Sequence, residues 1–358
     1  MRKIVLTGGP CSGKSTSLVE IKKSLQELGY KVFIIDETAT RLINQGIYPN
    51  NTNGLTMYEF EKRVMRLQLI LEKLARLKSM FYKKSVILCD RGLLDCKAYL
   101  DEVKWNMLLD EMHLNEGKML NRYDTVIHLV TIADGKKELY TTENNKARQE
   151  NALEALEKDK ITLTSWIGHS NLYVVDNSTD FKNKIERVKK FIFSTLGEEE
   201  TTKQYKFEVD LDNNSLYKLK AISEVSYIVQ TYLKSFDKLE KRIRKFVTKG
   251  QAFYYYTEKK ELSSGEIIKT SKQLTKFEYN ALLKNADPNL EQIEKTRYSF
   301  RENKSLYHLD IFNDGNNILE VETNDNLDNV VLPSFLKSSR EIDVSNKDIA
   351  KKLIKKSK

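Results

Sequence analysis

The stretch "LTGGPCSGKSTS", residues 6–17, follows directly on the apolar run "KIVLT" at residues 3–7. It contains the spacing G-x-x-x-x-G-K-[ST] from Gly8 to Ser15. Glycines at these places let the backbone wrap closely around phosphate oxygens with its N–H groups pointing inward. Lys14 is then placed to reach the outer phosphates, and the Ser15 hydroxyl to ligate Mg²⁺. The segment that follows, "KSTSLVEIKKSLQELG", puts Leu18, Ile21, Leu25 and Leu28 at helical spacing and stops at Gly29. A helix starting there adds a favourable dipole for an anion. Strand, glycine loop and helix thus come in the order a phosphate-binding loop requires, with Gly8, Gly9, Cys11, Ser12, Gly13, Lys14, Ser15 and Thr16 as the predicted nucleotide contacts.

Further apolar runs end in polar residues: "KVFIID" before Glu37, "SVILCDRG" carrying Asp90 and Arg91, "YDTVIHLV" at 123–130, and "NLYVVDNS" at 171–178. Helical stretches separate them, notably 57–82 and 100–117. Strands alternating with helices predict a doubly wound parallel sheet, whose ligands sit at the carboxyl ends of its strands. Glu37, Asp90, Arg91 and Asp176 fall there. Asp90 suits the hydration shell of Mg²⁺, Arg91 suits charge neutralisation on a phosphate, and Glu37 suits proton acceptance from a substrate hydroxyl. The competing reading of each is a strand-end residue capping a helix. In "YTTENNKARQENALEALEKDK", Arg148 is the candidate lid arginine, with Glu150 as its orienting partner, against a solvated helix face. Asp176 or Asn177 is the candidate reader of a nucleobase edge. Trp166 reads as core, and His169, beside Gly168, as a turn residue.

Bulk properties bound the rest. The chain has 358 residues, 40% hydrophobic and 31% charged, which predicts a folded protein of two domains. No apolar run approaches the roughly 20 residues a membrane span needs, the start lacks a signal-peptide layout, and three cysteines without metal-ligand spacing (Cys11, Cys89, Cys96) fit a reduced, cytoplasmic setting. Of the net charge of +9, residues 1–202 contribute 31 − 28 = +3 and residues 203–358 contribute 29 − 23 = +6. That excess suits an anionic partner.

Around "LGEEETTKQ" the pattern changes, dividing the chain into 1–197 and 203–358. Beyond it come short alternating runs: "YKFEVDL", "SYIVQTYLK", "KRIRKF", "AFYYYTEKK", "KTRYSF", "YHLDIF" and "ILEVET". Period-two spacing puts Arg242 with Arg244, Lys295 with Arg297, and Glu320 with Glu322 on one strand face each. Antiparallel strands with such faces predict an anion-lined barrel; strands opening the same faces to water are the alternative. The aromatic run Phe253 to Tyr256 suggests base stacking, but half of it should be core, so nucleic acid is not the expected partner. The tail "KDIAKKLIKKSK" reads either as a peripheral contact to an anionic leaflet or as a frayed helix end.

On "TGGPCSGKST", "DETATR", "DRGLLDCKAY" and "WIGHSNLYVVDNSTDF" the first half resembles P-loop proteins related to small-nucleoside kinases. On "VQTYL", "KRIRKF", "YYYTEKK", "KTRYSF", "YHLDIF" and "LEVE" the second half resembles the CYTH domain, a triphosphate-tunnel β-barrel. The tandem resembles the TRPL-translocation-defect protein family. That resemblance implies GTP (rather than ATP) with Mg²⁺ in the first half, a phosphoinositide or other polyanionic head group in the second, and a role in membrane-protein trafficking. The alternative is an enzyme: a small-molecule kinase, or a tunnel-type polyphosphate hydrolase. The CYTH pattern opens with E-x-E-x-K. In the better register, which ends on Lys206, Thr202 and Gln204 replace its glutamates. Glu320 and Glu322 survive, as do Lys206, Arg242, Arg244, Lys259, Lys295 and Arg297. Fewer carboxylates weaken the hold on a hard cation while the bases still attract phosphate, so the resemblance there implies a binder rather than a triphosphatase.

Overall fold

The computed structural model describes residues 1–49, 55–135, 151–198, 203–235, 239–261, 267–302, 305–323, 330–336 and 339–356. These form two units, Met1–Lys189 and Lys190–Lys358.

In the first unit the short apolar runs become strands β1 (Arg2–Thr7), β2 (Lys31–Ile35), β3 (Ser85–Asp90), β4 (Thr125–Leu129) and β5 (Leu172–Val175). They pair in parallel in the order β2-β3-β1-β4-β5. Ile4, Val5, Leu6, Val86, Ile87, Leu88, Val126 and Ile127 have no exposure at all, as strands covered on both faces require. The crossovers carry helices α1 (Lys14–Glu27), α2 (Thr38–Ile43), α3 (Met57–Ser79), α4 (Glu102–Glu111), α5 (Glu116–Leu120) and α6 (Ala152–Trp166), and α7 (Phe181–Leu196) follows β5. The stretch 100–117 is two helices rather than one. Asn115 caps α5 from its side chain, and His113 between them turns left-handed at φ 53°. Register matters for function: Leu6 lies opposite Asp90 across β1 and β3, so Asp90 ends its strand beside the start of the glycine loop.

The second unit is a nine-stranded antiparallel sheet in the order β10-β9-β8-β7-β11-β12-β13-β6-β14. Its strands are β6 (Lys203–Val209), β7 (Glu224–Leu233), β8 (Leu239–Thr248), β9 (Gln251–Glu261), β10 (Ile267–Leu274), β11 (Ile293–Glu302), β12 (Ser305–Phe312), β13 (Asn317–Thr323) and β14 (Ser339–Glu341). Helices α8 (Asn213–Ile222), α9 (Lys276–Leu283) and α10 (Asn346–Lys356) accompany them. Alternation sorts the residues cleanly. Phe207, Val209, Phe300, Tyr307, Leu309, Leu319 and Val321 form an apolar core on one face, with Leu219 of α8. Tyr254 and Tyr256 pack on the same side with Tyr279 of α9, which removes two of the four aromatics of 253–256 from any stacking role. The other face is polar yet buried: Ser226, Gln230, Thr257, Lys295, Asp310 and Glu320 are all 3% exposed or less. The basic tail is helix α10. Its Ile349 and Ala350 are buried among Tyr232, Ile293, Phe312 and Ile318, so at least its first turns pack against this unit rather than fray.

Candidate functional site

The glycine loop is held by its own carbonyl groups. Lys14 Nζ donates to Gly8 O and Gly9 O, both at 2.9 Å, and to Ser12 Oγ at 3.1 Å. The Thr131 hydroxyl donates to Pro10 O, Ile132 N to Cys11 O at 3.2 Å, Lys184 Nζ to Ser12 O at 3.1 Å, and Ser17 N to Gly13 O at 2.9 Å. Every carbonyl from Gly8 to Gly13 is therefore engaged, and the acceptors that would repel a phosphate are turned into the protein. The first turn of α1 leaves its N–H groups without helical acceptors, which suits an anion. Two glycines are sterically required. A Cβ on Gly8 would meet Leu129 O at 2.1 Å, and Gly13, at φ 88°, would meet the Phe181 ring at 2.5 Å.

Three ionisable groups stand at the mouth of the loop. Asp90 Oδ2 accepts from the Ser15 hydroxyl at 2.8 Å, whereas buried Asp90 Oδ1 has no hydrogen-bond partner. Burial and the neighbouring Glu37 charge raise the Asp90 pKa, against the pull of Lys14 and Arg91. An unpartnered carboxylate oxygen beside a hydroxyl is a donor set suited to Mg²⁺, which takes few protein ligands and completes its shell with phosphate and water. Ser15 and Asp90 would hold that ion. Arg91 Nε bonds Glu37 Oε1, and Arg91 Nη1 reaches Asp95 Oδ1 at 3.4 Å. Burial opposes the Glu37 charge, but Arg91, Lys14 and the Thr40 hydroxyl outweigh it and hold the Glu37 pKa down to about 2. Arg91 itself sits at φ 72°, a left-handed conformation that non-glycine residues rarely adopt and that concentrates at functional sites. Burial and then the Arg91 charge lower the Lys14 pKa to about 8.

The loop opens into a cleft of about 900 Å³ between α2, α3, the 3-10 turn Leu93–Tyr99 and α6. Lys14, Ser15, Thr16, Glu37 and Arg91 line its polar end, and Ile43, Met57, Phe60, Val64, Tyr99 and Ile161 its apolar body. Glu61 also lines it. This carboxyl is 3% exposed, bonds the Cys96 thiol, and is pushed up to about 7 by burial.

The second unit carries its own charged site. Arg297 makes two hydrogen bonds of 2.7 Å to Asp310 and a further one to Glu320, and Lys295 also bonds Asp310. Lys206 lies 3.9 Å from Glu320 and donates to Val344 O at 2.9 Å. Burial opposes the Glu320 charge, but Arg297 and Lys295 lower its pKa strongly. Arg242 and Arg244 are less fully matched: Arg242 Nη1 lies 3.8 Å from Glu240 and Arg244 Nη2 donates to Thr257 Oγ1 at 3.5 Å, while their buried Nε atoms lack hydrogen-bond partners, as do Ser226 Oγ, Gln230 Nε2 and Thr248 Oγ1. Burial and the Arg242 and Arg297 charges lower the Arg244 pKa to about 9. His308 is driven down to about 3 by burial and Arg297, so it is neutral. Strand register puts Lys259 on the same face, opposite Glu240. The backbone of Glu322 pairs with Gln204; its side chain lies outside the description. Asp310 and Glu320 are both taken up by resident bases. Glu240 stands on the same face 3.8 Å from Arg242, and among the described residues no group of three or more His, Cys, Asp or Glu is placed to hold a metal.

Residues 3–184, 182 of the 358, match an AAA domain family. The chain belongs to that family. No curated protein matches it. Among solved structures, the inorganic triphosphatase NE1496 is 22% identical at a TM-score of 0.30, covering 41% of this chain and 96% of its own. The PH1819 protein from Pyrococcus horikoshii OT3 is 14% identical at 0.28, covering 35% and 81%. A conserved hypothetical protein from Pyrococcus furiosus is 14% identical at 0.26, covering 43% and 88%. At these scores the likenesses carry no functional argument.

Within the AAA domain, Lys14, Ser15, Glu37, Asp90 and Arg91 come together as their strand-end positions require. Asp176 and Asn177 do not join them. Asp176 accepts from Arg187 at 2.7 Å and from Ser178, and Asn177 bonds Thr131 O, Asp134 O and Lys184. Both are spent on their own chain. Arg148 and Glu150 lie outside the described residues. Trp166 is core, and His169 pins a turn through Tyr123 O and Asn171 N. Two residues without a local sequence signal support the loop. Asp159 Oδ1 on α6 accepts from Gly9 N at 2.7 Å and Thr131 N at 3.1 Å. Lys184 on α7 bonds Ser12 O, Val130 O at 2.7 Å and Asn177 Oδ1 at 2.8 Å, and burial lowers its pKa to about 7.

Proposed function

We propose that the AAA domain is a phosphotransferase: it binds a nucleoside triphosphate with Mg²⁺ and transfers the outer phosphoryl group to a small hydroxyl-bearing acceptor held in the adjoining cleft. The observation that carries this reading is the continuity of the loop, Glu37 and Arg91 with a cleft of about 900 Å³ whose lining is part apolar and part charged. The loop amides and Lys14 hold the phosphates, and Mg²⁺ at Ser15 and Asp90 supplies charge neutralisation between them. Arg91, once it releases Glu37, meets the transferring group. Freed of Arg91, whose charge chiefly lowers its pKa in the resting site, the buried Glu37 carboxylate then orients the acceptor hydroxyl and takes its proton as that oxygen bonds the transferred phosphorus and the nucleoside diphosphate leaves. Guanine over adenine, and a trafficking role, rest on the family resemblance alone. The test is steady-state release of ADP or GDP by the full chain with Mg²⁺ over a panel of small alcohols and nucleosides. Acceptor-stimulated turnover should fall at least a hundredfold in Glu37→Gln with nucleotide binding retained. Turnover that no acceptor stimulates, or that ignores Glu37, defeats the proposal.

A second reading concerns the other unit. Arg242 and Arg244, whose buried Nε–H groups face no acceptor, support capture of a polyanion such as a phosphoinositide head group or a polyphosphate chain. With Asp310 and Glu320 neutralised internally, binding should survive EDTA. Abolition by EDTA, or steady hydrolysis of tripolyphosphate, would defeat it.

A further inference from the structure

The outer face of α3 carries an apolar ridge that is exposed among the described residues. Ile70, Leu74, Leu77 and Phe81 are 55%, 48%, 51% and 87% exposed. Their spacing of four, three and four residues is that of a coiled-coil seam. At about 100° per residue the ridge lies diametrically opposite the side of α3 that buries Val64, Met65, Gln68 and Glu72. It is therefore no spill-over of the core. On the helix Ile70 to Leu77 span two turns, roughly 11 Å, and Phe81 extends the ridge just past the end of α3.

The flanks decide the partner. Between Lys62 and Lys84 the chain carries eight Lys or Arg and one acid, Glu72, which is buried. Arg66 and Lys73 border the ridge on one side and Lys78 on the other. In a seam, flanking positions set partner choice by charge. A second copy would bring cations against cations, which excludes self-pairing. A single line of side chains also suits the groove between side-chain rows on a helix better than a flat bilayer, which would meet it along one line only.

We propose that the Ile70–Phe81 ridge is a docking site for an amphipathic partner helix whose apolar seam is flanked by Asp or Glu. The site lies on the side of α3 away from the cleft, so it is independent of the phosphotransferase reading.

The experiment titrates the full chain into two fluorescein-labelled synthetic helices with Leu at the seam, one flanked by Glu and one by Lys. The acidic helix should bind with micromolar affinity, weakening with salt, and the basic one should not. Leu74→Asp with Leu77→Asp should lower that affinity at least tenfold while nucleotide binding is unchanged. Lys73→Glu with Lys78→Glu should transfer preference to the basic helix. Failure of the acidic helix to bind, or equal binding of both helices, overturns the proposal. So does sedimentation with phosphatidylserine vesicles that depends on Leu74 and Leu77, which would make the ridge a lipid contact. Self-association abolished by the same pair would make it a contact between copies, and overturns it equally.

Discussion

Glu61→Gln should flatten part of the pH dependence of stability. Glu61 is buried on α3, and burial raises its pKa from an ordinary 4.5 to about 7. Between those values the folded protein keeps a proton that the unfolded chain has released, so the unfolded state binds fewer protons and stability falls as pH rises. The effect is absent below about 4.5 and complete above about 7. A shift of some 2.5 units at about 1.4 kcal/mol each gives a destabilisation on the order of 3 kcal/mol at pH 8. Glutamine keeps the shape and never ionises. The difference in stability between wild type and variant should therefore be constant at low pH and swing in favour of the variant by up to about 3 kcal/mol at pH 8. For a unit of this size that is roughly 5–10 °C in melting temperature. Differential scanning calorimetry from pH 4 to 8.5 measures it, with the first unit's transition identified by its response to nucleotide. A lost bond to Cys96 adds only a pH-independent offset. Parallel wild-type and variant profiles would refute the buried-carboxyl argument.

Lys14→Ala should abolish nucleotide binding by calorimetric titration, because Lys14 is the one charged side chain between Gly8 and Ser15 and also ties off Gly8 O and Gly9 O; normal affinity would remove the loop from the account. Asp159→Asn keeps the fold of α6 but presents a weaker acceptor to Gly9 N and Thr131 N, so nucleotide affinity should fall about tenfold, in line with the roughly 1–2 kcal/mol a charge-assisted hydrogen bond contributes; an unchanged dissociation constant would show that the loop holds itself. Arg242→Ala with Arg244→Ala should lower inositol hexakisphosphate binding at least a hundredfold while leaving the nucleotide-sensitive transition unmoved, and undiminished binding would place the anion elsewhere.

How far these sites were legible depended on the range of the interactions that make them. The loop could be read because its chemistry is local: glycine freedom, a lysine and a hydroxyl within eight residues. Glu37, Asp90 and Arg91 could be read because each ends an apolar run, and a parallel sheet collects such ends at one edge. Asp159 and Lys184 could not. Each contacts the loop from a helix about 150 residues further on, and each looks in sequence like one more charge on a polar helix face. Glu61 was hidden differently: α3 is charged on several sides, and which carboxylate turns inward depends on how the helix is rotated against the sheet. Asp176 and Asn177 were misplaced as nucleobase readers because a strand end also needs its turn held, and Arg187 and Lys184 claim them for that. In the second unit, period two assigned the basic residues to one face. Only strand register could show that Asp310, opposite Arg297 on β12, neutralises half of that face.

The two anion sites solve one physical problem in opposite ways. In the AAA domain the proposed ligand would meet main-chain amides whose partner carbonyls have been tied off one by one, so the loop would need few formal charges, and an Mg²⁺ held by Ser15 and Asp90 would complete neutralisation. In the second unit the sheet's polar face is buried, and buried guanidinium groups without counter-ions are costly. Asp310 and Glu320 offset Lys295 and Arg297, and Glu240 stands 3.8 Å from Arg242, but buried Arg244 has no carboxylate of its own, and burial and then the Arg242 and Arg297 charges lower its pKa. That residual imbalance attracts a polyanion without a metal bridge. On the proposed reading the surplus is carried by two arginines whose planar forks match phosphate oxygens, and removing them should take away most of the attraction for a polyanion.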